Sequence, residues 1–133
     1  MTVQPGDLAR ATRFVATAAV VGTAAVVFLT AGDRPWQSVA AVVMISLLPY
    51  VAFVALGRWA SGVVEAEAVV LGGLVLAVFF AAGLYALAFV VAPGPRSASA
   101  PLAVPLFQSL GVALAGVGAG VLRWRARTAG RRA

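Results

Sequence analysis

The chain is expected to be an all-α integral membrane protein, a four-transmembrane-helix bundle with both termini in the cytoplasm. Three observations carry that expectation. The 133 residues are 62% hydrophobic and 11% charged, where a soluble domain is roughly 45–50% apolar and about 25% charged. The apolar residues gather into four long runs separated by glycine, proline and charge. Eight of the ten arginines fall on one side of those runs. A small soluble fold leaves much of its surface in water, so this excess of apolar side chains has to face lipid. The chain is therefore expected to be a single small membrane domain, with no room for a soluble domain beside it.

The first span covers about residues 13–31, after a short polar lead that ends at Thr12. Gly32, Asp33, Arg34 and Pro35 stop it, because charge and proline do not continue a lipid-facing helix. Its apolar run exceeds the 7–15 residues typical of a secretory signal peptide, which argues for a retained helix. The second span covers 36–56 and closes at Gly57, Arg58 and Trp59. The third runs from 63 to 92, up to Pro93-Gly94-Pro95-Arg96, and the fourth from 101 to 122. A basic tail, 123–133, follows.

A hydrocarbon core of ~30 Å takes about 20 helical residues. The third span is longer than that, so its first turns, with Glu65 and Glu67, are expected at the interface. Strands are a poor alternative, because the runs lack the apolar/polar alternation of a membrane barrel.

Arg10, Arg13, Arg58, Arg123, Arg125, Arg127, Arg131 and Arg132 share one side, against Arg34 and Arg96 on the other. Under the positive-inside rule that bias puts both termini in the cytoplasm. Trp36, Trp59 and Trp124 each stand at a span end, where indole rings anchor at headgroup level. The net charge of +6 is therefore read as topology and as attraction to anionic headgroups through Arg123, Arg125, Arg127 and Trp124, not as nucleic-acid binding. Use of arginine alone among the basic residues, with abundant Ala, Gly and Val, suggests a bacterial cytoplasmic membrane.

Small residues recur every four positions: Ala18 and Gly22; Gly73, Ala77 and Ala81; Gly111, Ala115 and Ala119; and the pair Gly116 and Gly120. Such ridges let helix backbones approach closely in lipid. They are expected to pack the four helices together, the alternative being a dimer face on the fourth. Pro49 is expected to kink the second span.

The inventory for chemistry is short. Without Cys or His, thiolate nucleophiles, Cys/His zinc sites and His-ligated haem are excluded. No glycine-rich phosphate loop or metal-ligand spacing is present, so no catalytic, cofactor or metal residue is assigned. Gln108 is the one amide well inside a span and is expected to bond across helices to Ser46, Tyr50, Tyr85 or Thr23. Its alternative role is a polar point in a permeation path. Glu65 and Glu67, two apart on a helix, point to opposite sides and do not form a close carboxylate pair. They are expected to cap a helix or pair with Arg58 at the interface, the alternative being a proton-relay carboxylate.

The functional expectation is a non-enzymatic accessory or structural membrane protein that forms a homo-oligomer or joins a membrane-protein partner. The alternative is a small channel or transporter acting as an oligomer, with Gln108, Tyr50 and Tyr85 along its path.

Overall fold

The structure, a computed structural model, describes residues 4–33, 35–91 and 100–130. Arg34, Arg96, Arg131, Arg132 and the loop at 93–96 lie outside the described residues. Four helices follow one another: α1 (Asp7–Leu29), α2 (Trp36–Ala60), α3 (Val64–Ala86) and α4 (Ala100–Gly130). A single π-helical turn, Leu87–Val91, continues α3. Strands are absent among the described residues. All four helices are long and apolar enough to cross a membrane.

Helical structure extends past the apolar runs at several ends. α1 begins six residues before Arg13, and α4 continues through Arg123, Trp124, Arg125 and Arg127 to Gly130. Turns that carry arginine close their backbone hydrogen bonds as well as apolar turns do, so lipid-facing composition and helix length are different quantities. α2 runs unbroken through the buried Pro49.

α1 packs on α2 and α3, α4 packs on the same two helices, and α2 meets α3 across the middle. α1 and α4 thus take opposite corners. The close contacts are made by small residues. A Cβ placed on Gly73 would stand 3.0 Å from Ala115 Cβ, and one on Gly111 would meet Ala77 and Phe53. The two small-residue ridges of α3 and α4 therefore face each other. Gly116 and Gly120 turn to Leu56 and Trp59 of α2, so this pair is used within the chain. Gly57 of α2 receives Thr12 of α1.

Large side chains sit mostly outside. Phe14, Phe28, Phe79, Phe80 and Phe107 are all exposed, and among the phenylalanines Phe53 is fully buried. Among the largest fully buried side chains, Tyr50, Gln108, Glu67, Thr12 and Ser46 stand beside Phe53, Leu74, Val70 and Val104. A soluble protein would sort these groups the other way. Small and polar groups inside with large apolar groups outside is the arrangement that lipid favours, because burying Leu against Leu gains nothing over leaving it in acyl chains.

Candidate functional site

Two polar constellations stand out, one at an end of the bundle and one in its interior. The first is built around Glu67. α3 begins at Val64 with no side-chain cap, and Glu67 lies one turn in, its amide bonded to Val63 O at 3.0 Å. The 100° rotation per residue sends Glu65 to the exposed face and Glu67 inward. Glu67 is fully buried, yet no arginine pairs with it among the described residues.

Its partners are backbone amides. Gly6 N donates to Oε1 at 2.8 Å and to Oε2 at 3.0 Å, Ala9 N donates to Oε2 at 3.2 Å, and Gly62 N donates to Oε1 at 2.9 Å. Gly6 and Gly62 both take the left-handed conformation, with φ of 92° and 95°. A side chain would be strained there, so glycine supplies the backbone turn that aims each N–H at the carboxylate. α1 has no side-chain cap from its own N-cap residue. Glu67 caps it from the third helix, placing negative charge where the α1 dipole is positive. One carboxylate thus ties the start of α1 to the α2–α3 turn and the first turn of α3.

Of the two roles expected for these acids, Glu67 takes the capping one, at the start of α1, while Glu65 is exposed and neither acid pairs with Arg58 among the described residues. Arg58 is exposed, and an ion pair found among the described residues joins Arg10 to Asp7 at 2.9 Å on the surface. A backbone cradle has no side-chain pattern to search for. Its one trace in the sequence is a glycine just before each of two helix starts that lack Ser, Thr, Asp or Asn at the cap.

The second constellation draws on all four helices. Gln108 Nε2 of α4 donates to Tyr50 Oη of α2 at 2.8 Å, and Tyr50 Oη lies 3.0 Å from Thr23 Oγ1 of α1. Ser46, one turn before Tyr50, and Tyr85 of α3 are also buried beside it. The structure therefore brings together Gln108, Tyr50, Thr23, Ser46 and Tyr85. Among the described residues, Ser46 Oγ, Tyr85 Oη and Gln108 Oε1 make no well-formed hydrogen bond, although the Ser46 and Tyr85 hydroxyls lie close enough to interact. Tyr50 is the hub because its hydroxyl both accepts and donates. Its replacement, Tyr50→Phe, leaves Thr23 and Gln108 without each other's relay. Interhelical bonds in lipid average ~0.6 kcal/mol with a maximum near ~1.7, so the expected loss is about 1 kcal/mol. Thermal unfolding in micelles, with Gln108→Leu and the double variant closing the cycle, measures it.

The basic end of α4 is exposed at Trp124, Arg125 and Arg127. Arg123 instead places its guanidinium 4.7 Å from the Trp59 ring centroid, a cation–π contact that joins α4 to the end of α2. No three His, Cys, Asp or Glu side chains converge as metal ligands among the described residues. No family model matches the chain, and neither a curated protein nor a solved structure is similar to it at a significant level.

Proposed function

We propose that this chain is a non-enzymatic accessory or structural protein of a bacterial cytoplasmic membrane, with both termini in the cytoplasm, that works by joining a homo-oligomer or a membrane-protein partner. The observation that carries this reading is the condition of Glu67. It is the single fully buried carboxylate among the described residues, and both of its oxygens are engaged by backbone amides. A proton relay needs an acid whose oxygens can be exchanged between partners, and a catalytic acid needs access to substrate. Glu67 is committed to holding helices. The exposed arginines of α4 suit anionic headgroups, at roughly 1 kcal/mol each near the surface. Because Gly116 and Gly120 are covered by α2, a second copy or partner would meet the bundle through its other faces. Affinity purification from native membranes is expected to recover a stoichiometric partner or a homo-oligomer. A monodisperse monomer with no partner would sink this reading.

One observation favours a second reading, a small channel or transporter acting as an oligomer. Three interior atoms, on Ser46, Tyr85 and Gln108, lack a well-formed hydrogen bond among the described residues, and unsatisfied polar groups inside a membrane protein mark candidate pathways. This reading requires solute or ion flux into liposomes carrying the purified protein, reduced by Gln108→Leu. Absence of flux across ions and common small solutes removes it.

A further inference from the structure

We propose that a single water molecule is bound at the centre of the bundle, between Gln108, Ser46 and Tyr85, where it completes the hydrogen bonding of three helices. The inference stands apart from both readings of the function, since a resident water requires no path through the protein.

The site is fixed by groups that already cluster around Tyr50. Gln108 Nε2 donates to Tyr50 Oη at 2.8 Å, which leaves Oε1, the other arm of the same amide, at the same point in the bundle. Ser46 precedes Tyr50 by one turn on the buried face of α2, and its hydroxyl lies near that of Tyr85 on α3. Ser46, Gln108 and Tyr85 are 0%, 2% and 7% exposed, so bulk solvent does not serve them. Pro49 adds a fourth group. It has no N–H, so the carbonyl of Ile45, four residues earlier, lacks its helix donor beside the buried proline ring. Membrane helices with an interior proline satisfy such carbonyls with hydroxyl side chains or ordered water.

A count of protons selects the ligand. With the Ser46 and Tyr85 hydroxyls paired to each other, one O–H of that pair still has no acceptor. Gln108 Oε1 and the Ile45 carbonyl, both pure acceptors, still have no donor. The partner these groups call for accepts one hydrogen bond and donates two. Water does both, and about three bonds is the usual number for a buried water. A metal cation accepts no hydrogen bond. It would also bring charge with no counter-ion, because the carboxylates among the described residues, Asp7, Asp33, Glu65 and Glu67, all stand at helix ends or in a turn. An anion would face two bare acceptor oxygens.

Access and space are limited to something of that size. Thr23, Tyr50 and Tyr85 line the groove between α1 and α3, and Gln108 lines the one between α3 and α4. The cluster is thus the partition between two open spaces, and the Tyr85 ring has slack on its groove side for one oxygen atom. A larger polar solute finds no opening among oxygens this deeply buried.

The test is X-ray radiolytic footprinting of the full chain in phosphatidylcholine nanodiscs. Radiolysis turns bound water into hydroxyl radicals that attack the nearest side chains, and mass spectrometry reads the oxidised residues. After correction for intrinsic reactivity, Tyr50 and Tyr85 are expected to oxidise at least fivefold faster than Phe53, which is as deeply buried but apolar. Tyr85→Phe keeps the ring and removes one hydroxyl, and is expected to lower oxidation of Tyr50 at least threefold. Gln108→Leu is expected to lower oxidation of both tyrosines by a similar factor. Gly72→Leu, at an open position of α3, leaves both within twofold of the parent. Tyrosines that oxidise no faster than Phe53 overturn the proposal. So does oxidation that neither Tyr85→Phe nor Gln108→Leu changes, because the water would then lie elsewhere.

Discussion

Glu67→Ala is expected to destabilise the bundle by about 4 kcal/mol. Removing the carboxylate leaves the amides of Gly6, Ala9 and Gly62 without their acceptor in a site that excludes solvent. Each buried donor left unpaired costs ~1–3 kcal/mol, and bonds to a charged group are at the upper end of hydrogen-bond strength. Glu67→Gln is expected to cost about half as much. It keeps one acceptor oxygen but turns an NH₂ group toward amides that also donate. Denaturant unfolding in micelles measures both losses. Hydrogen exchange locates them, because amides at the start of α1 should lose protection before those in the middle of α4. A Glu67→Ala protein within about 1 kcal/mol of the parent, with unchanged exchange at Gly6 and Ala9, would falsify the clamp.

Gly73→Leu carries the second large effect. A Cβ there would stand 3.0 Å from Ala115 Cβ and 3.4 Å from Phe53 Cε1. Ala115 sits on a helix backbone and Phe53 is fully buried, so neither moves cheaply. Overpacking a tight contact costs ~1–3 kcal/mol, and a whole isobutyl group belongs at the upper end. Gly73→Ala is expected near the lower end, because Ala115 needs to give by a few tenths of an ångström. The neighbouring Gly72 provides the control, since its Cβ would meet nothing within 4 Å. Gly72→Leu is expected to be neutral, or to gain up to ~1 kcal/mol from better helix propensity. Equal effects at the two positions would show that the ridge of α3 does not set the α3–α4 distance.

Several features of this architecture are legible in the amino-acid sequence, for a physical reason. Lipid requires about 20 apolar residues per crossing and tolerates few exceptions, so the runs around Val20, Val43, Leu74 and Val112 stand out. Small residues at four-residue spacing mark close approach, and the ridges at Gly73 and Gly111 do face one another. Helix ends are less legible. The first turns of α1 and the last turns of α4 carry charge, and composition reports what faces lipid, not where the backbone stops coiling.

The interior was legible in part. Gln108 stood out as a lone amide with four hydroxyl residues as possible partners. Which of them it meets depends on rotamers and helix rotation, and Tyr50 has the reach. Glu67 was legible as a charge on the opposite face from Glu65. Its partners were not, because every residue carries a backbone amide and only the folded chain shows which ones converge. The approach of Arg123 to Trp59 was hidden for a related reason: both read as separate anchors at the headgroups, and only the packing of α4 on α2 brings them within 4.7 Å.

The clamp also sets an order of events during synthesis. α1 emerges first, but its cap is a side chain 61 residues further on from Gly6. Until the third helix has been made and inserted, the opening turn of α1 holds bare amides and has to borrow water or headgroup oxygens. The Gly62 turn waits on the same carboxylate, since it too is five residues short of its acceptor. One late side chain then closes two early ends together. A chain that ended before Glu67 would carry two helices with neither end secured, and the clamp closes only when the whole of α3, through Ala86, has been made and inserted.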